Sequence, residues 1–188
     1  MRIIAGSAKG RRLVAPRGDR VRPTTDRVKE ALFSSLQTRL HTAAVLDLFA
    51  GSGALGLEAV SRGATHAVLV ERWPKALQAI ATNLEATGLH DRVTVVAGEI
   101  PRTLTDVSGP FDIVLADPPY EMGGDALTSV LAAVVPLLSD DAVVVVERNR
   151  RDGPVTWPDG VVPQRSRQYG DTTLHVATVA PPAVQGDQ

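Results

Sequence analysis

The chain has 188 residues, 44% of them hydrophobic and 22% charged, with no cysteine and four scattered histidines (His41, His66, His90, His175). This suits one α/β domain with a full core, and it excludes disulfides and thiolate metal sites; no metal is expected. The net charge of −1 is uneven: residues 1–29 carry nine Lys or Arg against Asp19 and Asp26, a net +7, while the remainder carries eleven against nineteen acids, a net −8.

In residues 1–14 short apolar pairs flank a glycine-containing link, which predicts a small hairpin carrying basic residues. Pro16, Gly18 and Pro23 punctuate a loop, and Thr24-Thr25-Asp26 offers oxygens to cap a helix whose apolar positions are Val28, Ala31, Leu32, Leu36 and Leu40. From Val45 to Gly63 an apolar run breaks into a glycine turn and then takes up helical spacing, so strand, tight loop and helix follow one another. Beyond it come a strand at 67–71, a helix at 74–87 with Pro74 in its first turn, a strand at 93–97 and a strand at 111–116. A helix at 124–137 and a strand at 142–147, with four consecutive valines, complete the alternation that means a parallel sheet. The runs 161–167 and 172–179, separated by Tyr169-Gly170-Asp171, read as a closing antiparallel hairpin. Residues 181–188 are expected to be a disordered tail. The longest apolar stretch, 127–138, is interrupted by Thr128, Ser129 and Pro136, and no apolar core of signal-peptide length opens the chain, so a cytoplasmic protein without a membrane partner is expected.

The glycine turn is built to hold a cofactor. Gly51 and Gly53 accept positive φ and allow close approach of a ligand to the backbone, and the following helix presents free N–H groups. Gly51-Ser52-Gly53-Ala54-Leu55-Gly56 also satisfies G-x-G-x-x-G, with Glu71 at the end of the next apolar run, so a nicotinamide-dependent oxidoreductase is one reading. That reading lacks a substrate domain and leaves Asp117-Pro118-Pro119-Tyr120, at the end of a later apolar run, without work.

Asp47-x-Phe49-x-Gly51-x-Gly53 and Asp117-Pro118-Pro119-Tyr120 together resemble the first and fourth motifs of S-adenosylmethionine (SAM) dependent methyltransferases that act on exocyclic amines of bases. Arg2-Ile3-Ile4-Ala5-Gly6, Lys9-Gly10-Arg11-Arg12-Leu13 and the run from Arg22 to Phe33 narrow the likeness further. They resemble the N-terminal signature of the bacterial 16S rRNA guanine-N2 methyltransferases, the small-subunit methyltransferase D family. The resemblance extends from residue 2 to about 179; it departs at Ala5, where a second glycine is expected.

The resemblance implies a Rossmann-like class I fold: a seven-stranded, mainly parallel sheet with an antiparallel C-terminal hairpin. Residues 1–23 would form a basic hairpin extension and residues 24–180 the methyltransferase domain, acting as a monomer. It implies SAM as cofactor, held by Asp47, Phe49, Gly51, Ser52, Gly53, Glu71, Arg72, Trp73, Glu99 and Ile100. Glu71 is expected to accept hydrogen bonds from the ribose hydroxyls, Asp47 to order the loop or meet the methionine ammonium, and Trp73 to cover the adenine or join the core. Asp117, Pro118, Pro119 and Tyr120 would be the reaction centre: the Asp117 carboxylate and Pro118 carbonyl accept the amine N–H groups, the prolines hold the backbone, and Tyr120 offers a face for an unstacked base. Arg2, Lys9, Arg11, Arg12, Arg22, Thr24 and Arg27 are candidates for contacts to RNA, with Lys29 beside them, and Tyr169 either touches RNA or closes its hairpin. The implied substrate is a guanine of 16S rRNA, guanine 966 in the usual ribosomal numbering, within a small-subunit particle. A DNA adenine-N6 or cytosine-N4 methyltransferase stays open, since the four-residue motif serves any of these amines and a basic arm also binds DNA non-specifically; so does a non-catalytic RNA-binding module.

Overall fold

The computed structural model describes residues 1–16 and 26–180. Arg22 and Thr24, the Thr24-Thr25 part of the expected helix cap, the boundary at residue 23 and the 181–188 tail lie outside them. In chain order the elements are α1 (Asp26–Leu40), β1 (Ala44–Leu48), α2 (Ala54–Ser61), β2 (His66–Glu71), α3 (Pro74–Thr87), β3 (Val93–Ala97), β4 (Phe111–Ala116), α4 (Gly124–Val134), β5 (Leu138–Asn149), β6 (Val161–Tyr169) and β7 (Thr172–Val179).

The strands form one sheet in the order β3-β2-β1-β4-β5-β7-β6. β1 to β5 are parallel; β7 runs antiparallel to β5, and β6 pairs antiparallel on its outer side. This is the seven-stranded, mainly parallel sheet with a C-terminal hairpin that the sequence predicts. Chain direction across the sheet reverses between β1 and β4, and a crevice outside the carboxyl ends of the strands at such a switch point is where open α/β sheets bind ligands.

Strand periodicity divides the core in two. Val143 and Val145 of β5 pack with Val28, Leu32, Leu36 and Leu40 of α1 on one face of the sheet, whereas Val144 and Val146 pack with Leu127, Val130, Leu131 and Val134 of α4 on the other. Burying such a side chain fully contributes about 1.5–3 kcal/mol, which explains why the run of valines must be central. β5 extends further than the predicted 142–147, and the helix predicted to reach 137 ends at Val134 and passes into a short 3-10 turn, Val135–Leu137. Pro136 accounts for the difference, because proline removes a helical N–H and its ring crowds the preceding turn.

The N-terminal hairpin is a single antiparallel bridge, Arg2 with Arg12, supported by Ile3 N–H to the Arg11 carbonyl (2.9 Å) and Leu13 N–H to the Met1 carbonyl (3.1 Å). Ile3, Ala8 and Leu13 are buried in the core on the α1 side. Its backbone is bonded to α2: the Glu58 carboxylate accepts from the N–H groups of Ile4 (2.8 Å) and Ala5 (3.0 Å), and the Ser61 hydroxyl accepts from Ala8 (2.9 Å). At Gly6, φ is +84° and a Cβ would stand 1.7 Å from the Ser61 carbonyl oxygen, so only glycine allows this approach.

Candidate active site

A cleft of about 920 Å³ opens at the carboxyl ends of the strands, where the sheet changes direction. One end is made by the loop between β1 and α2. Three alternate residues, Phe49 (φ 58°), Gly51 (φ 57°) and Gly53 (φ 75°), are left-handed. Gly53 also has no room for a side chain, since a Cβ there would lie 2.8 Å from Leu69 Cδ2. Phe49 is a bulky residue in a conformation that costs about 1–3 kcal/mol, and its ring packs on the α4-side core while lining the cleft.

Two carboxylates hold this loop. Asp47 is buried on β1, and its Oδ2 accepts from the N–H of Gly56 in the first turn of α2 (2.8 Å). Burial pushes the Asp47 carboxyl up to about 7; the Gly56 N–H opposes the rise and the nearby Glu71 charge adds to it. At the end of β2, Glu71 Oε2 accepts from Gly51 N–H (2.7 Å), and Oε1 accepts from the N–H groups of Arg72 and Trp73 (both 2.8 Å). Two lone pairs per oxygen leave one direction, on Oε2, for a further donor. Arg72 reaches across to Glu99 Oε1 (2.6 Å), while Ile100 and Trp73 line the cleft, and Trp73 caps α3. Ser52 is buried, with its carbonyl oxygen taken by Asn83 Nδ2 (2.8 Å).

The other end is made by Asp117, Pro118, Pro119 and Tyr120, just beyond β4. Pro118 is buried and Tyr120 is 56% exposed. A turn closes this segment through Met122 N–H and the Pro119 carbonyl (2.9 Å). Arg148, near the end of β5, donates from its Nη1 to the Met122 carbonyl (2.9 Å) and pairs through Nε with Asp152 Oδ2 (3.2 Å), thereby tying the motif loop to the sheet. The sequence reading missed Arg148 and its neighbour Glu147, which lines the same cleft. Their signal was available: two charges directly follow the run of four valines in β5, at the side of a parallel sheet where sites lie. Residues 168–172, around the β6–β7 turn, close the cleft, and Tyr169 packs against the α1-side core.

The basic residues divide. Arg2, Lys9, Arg11, Arg12 and Arg27 are exposed; Arg27 lines the cleft, and Arg2 lies 3.7 Å from Asp26. Lys29 does not belong with them. It is 1% exposed, donates to the Arg2 carbonyl and pairs with Glu58 (3.3 Å), which also takes Arg62 Nε at 2.7 Å. Apolar helix packing turns Lys29 inward, where a charge persists only with such partners. His66 meets Thr94 Oγ1 (3.1 Å) and His175 Nδ1 meets Ser166 Oγ (2.9 Å), whereas His175 Nε2 is buried without a partner. Among the described residues no group of three His, Cys, Asp or Glu is placed to hold a metal ion, and no helix is long and apolar enough to cross a membrane.

Comparison with known proteins gives concordant matches. The model of a family described as Conserved hypothetical protein 95 matches residues 1–178. Ribosomal RNA small subunit methyltransferase D of Escherichia coli (strain K12) is 40% identical over 158 residues, covering 84% of this chain and 79% of that protein. YlbH of Bacillus subtilis (strain 168) is 38% identical over 180 residues, covering 94% and 97%. Among solved structures, yhhF from Escherichia coli superposes with a TM-score of 0.83 at 34% identity, covering 95% of this chain and 97% of that one.

Proposed function

The chain belongs to the family described as Conserved hypothetical protein 95, and on that premise we propose that it is a SAM-dependent rRNA methyltransferase that modifies the exocyclic N2 of a guanine in 16S rRNA. Guanine 966 within a small-subunit particle is the target this reading assigns. One observation carries it: the glycine loop with Glu71 and the Asp117-Pro118-Pro119-Tyr120 segment face one cleft, although 45 residues of sequence lie between the two acids.

The residues present fit the cofactor. The free direction on Glu71 Oε2 can take a ribose hydroxyl, the glycine loop permits close backbone approach, Trp73 and Ile100 offer apolar surfaces to a purine, and the buried Asp47 carboxyl would be stabilised in its charged form by an ammonium. Bound there, SAM supplies a methyl on a sulfonium, a leaving group that departs as a neutral thioether.

The acceptor nitrogen needs help, because its lone pair is delocalised into the base. Asp117 and the Pro118 carbonyl each accept one of its N–H groups, which draws the nitrogen towards tetrahedral geometry and aims the lone pair at the methyl carbon. On taking up the methyl the nitrogen would become cationic, and Asp117 would accept one of its protons and pass it to solvent. Tyr120 provides the face on which an unstacked base rests, and the exposed Arg2, Lys9, Arg11, Arg12 and Arg27 hold phosphates, which position the RNA without specifying its sequence.

The test is transfer of labelled methyl from SAM to small subunits, naked 16S rRNA, tRNA and duplex DNA, with the modified nucleoside identified by mass. Label in N2-methylguanosine of the small subunit is expected. Label mainly in DNA overturns the substrate and keeps the chemistry at Asp117; no transfer to any acceptor favours a binding module.

A further inference from the structure

Six acids other than Asp117 line the cleft, and they are unequal. Asp47, Glu71 and Glu99 belong to the glycine-loop end. Of the other three, Glu121 and Asp171 are exposed, whereas Glu147 is half-buried and stands beside the reaction centre. Strand register fixes that position: Ala116 of β4 pairs with Val146 of β5, so Asp117 and Glu147 follow side by side at the carboxyl ends of adjacent parallel strands. Both also line a smaller hollow that shares Pro118, Tyr120 and Thr172 with the cleft.

The alternation of β5 sets the direction. Val143 and Val145 face the α1 side, so Glu147 projects to that side, towards the part of the cleft lined by Arg27, Tyr120 and Tyr169. A base resting on Tyr120 with its amine at Asp117 has the neighbouring ring nitrogen within the same lining. In guanine this nitrogen, N1, carries a proton next to the N2 amine; in adenine and cytosine the ring nitrogen beside the amine is an acceptor. A carboxylate accepts and does not donate, so a second carboxylate beside the first selects for guanine and repels the other two. Neither Asp117 nor Glu147 is without a protein partner, and four lone-pair directions per carboxylate leave room for another N–H.

We propose that Glu147 is a specificity-determining residue that accepts the N1–H of the target guanine while Asp117 engages N2. The inference rests on the proposed function and deepens it.

The experiment compares the acceptor RNA carrying guanine at its methylated position with the same RNA carrying 2-aminopurine there, which keeps the N2 amine but presents N1 as an acceptor. Wild type should prefer guanine by roughly 10- to 100-fold in kcat/KM, the range expected for a hydrogen bond to a charged group. In Glu147→Gln the side-chain amide can donate to the bare N1, so guanine should lose and 2-aminopurine gain, cutting the preference at least about tenfold. Glu147→Met should lose guanine without the gain. Calorimetric SAM affinity should be unchanged in both variants, which separates a specificity defect from misfolding.

An unaltered preference in Glu147→Gln overturns the role of Glu147 and leaves guanine-N2 transfer standing. Wild-type label in adenine or cytosine, or none at all, overturns that reading and this inference together. Loss of SAM affinity in both variants makes Glu147 structural and overturns the inference alone.

Discussion

The two ends of the cleft are built differently. At the glycine-loop end the two carboxylates are bonded to backbone N–H groups close by in the chain, Asp47 to Gly56 and Glu71 to Gly51, Arg72 and Trp73, and Gly98 N–H reaches the Glu71 carbonyl at 2.9 Å. The Asp117 end is assembled from distant pieces, α1, the Asp117–Tyr120 segment, the end of β5 and the β6–β7 turn, with Tyr120 56% exposed. A small cofactor of fixed shape suits a preorganised seat, whereas a base carried by a large RNA needs an opening through which to enter. The hairpin joins the two, since Glu58 binds its backbone while belonging to the helix that starts at the glycine loop.

That brace is where the comparison breaks most readily. Glu58→Ala strips the acceptor from buried Lys29 and from the N–H groups of Ile4 and Ala5, and removing one partner of a buried pair costs about 3–5 kcal/mol. For a domain of this size that lowers Tm by roughly 10 °C in a thermal melt. A melt close to wild type would mean that the hairpin docks by its apolar residues alone. Asp117→Ala acts at the open end only: kcat should fall about 10²- to 10³-fold, equivalent to about 2.7–4 kcal/mol, with Tm and SAM affinity held. Unchanged turnover in single-turnover assays would remove Asp117 from the chemistry.

The difference between the ends also governs what the sequence discloses. Strand, glycine turn, helix and the acid closing the next strand are consecutive, so the loop and Glu71 are legible from local pattern alone, as is the compact Asp117-Pro118-Pro119-Tyr120. Glu147 and Arg148 reach the same cleft only because β5 lies beside β4, a fact of strand order that no local window contains. Lys29 misled because a basic residue near other basic residues looks like a phosphate contact. Its partner left a trace, for Glu58 is the single charge in the apolar helix Ala54–Ser61, which is how a buried ion pair reads in sequence.

Smaller in effect is Glu71→Gln, aimed at the preorganised end. The amide nitrogen must face either Gly51 N–H or the N–H groups of Arg72 and Trp73, leaving donors opposed and costing about 1–3 kcal/mol. Part should appear in a urea melt and part as weaker SAM binding by calorimetry. Loss of SAM binding with no loss of stability would show that Glu71 serves only the ligand.

The mildest test concerns Asp47, whose carboxyl holds its proton to about 7 in the folded chain against an ordinary value of 3.8. Between those values the folded state binds more protons than the unfolded one, so stability from this group is full below about 3.8 and is lost as pH rises through about 7. A methionine ammonium beside Asp47 would favour the carboxylate and reverse that loss. SAM affinity should then strengthen with pH up to about 7, by at most about tenfold (1.4 kcal/mol) per pH unit, and the rise in Tm on adding SAM should be larger at pH 8 than at pH 5. Asp47→Asn should flatten that difference while retaining an acceptor for Gly56 N–H. If wild type instead shows the same SAM-induced rise at both pH values, the carboxylate serves the first turn of α2 alone and the ammonium is held elsewhere in the cleft.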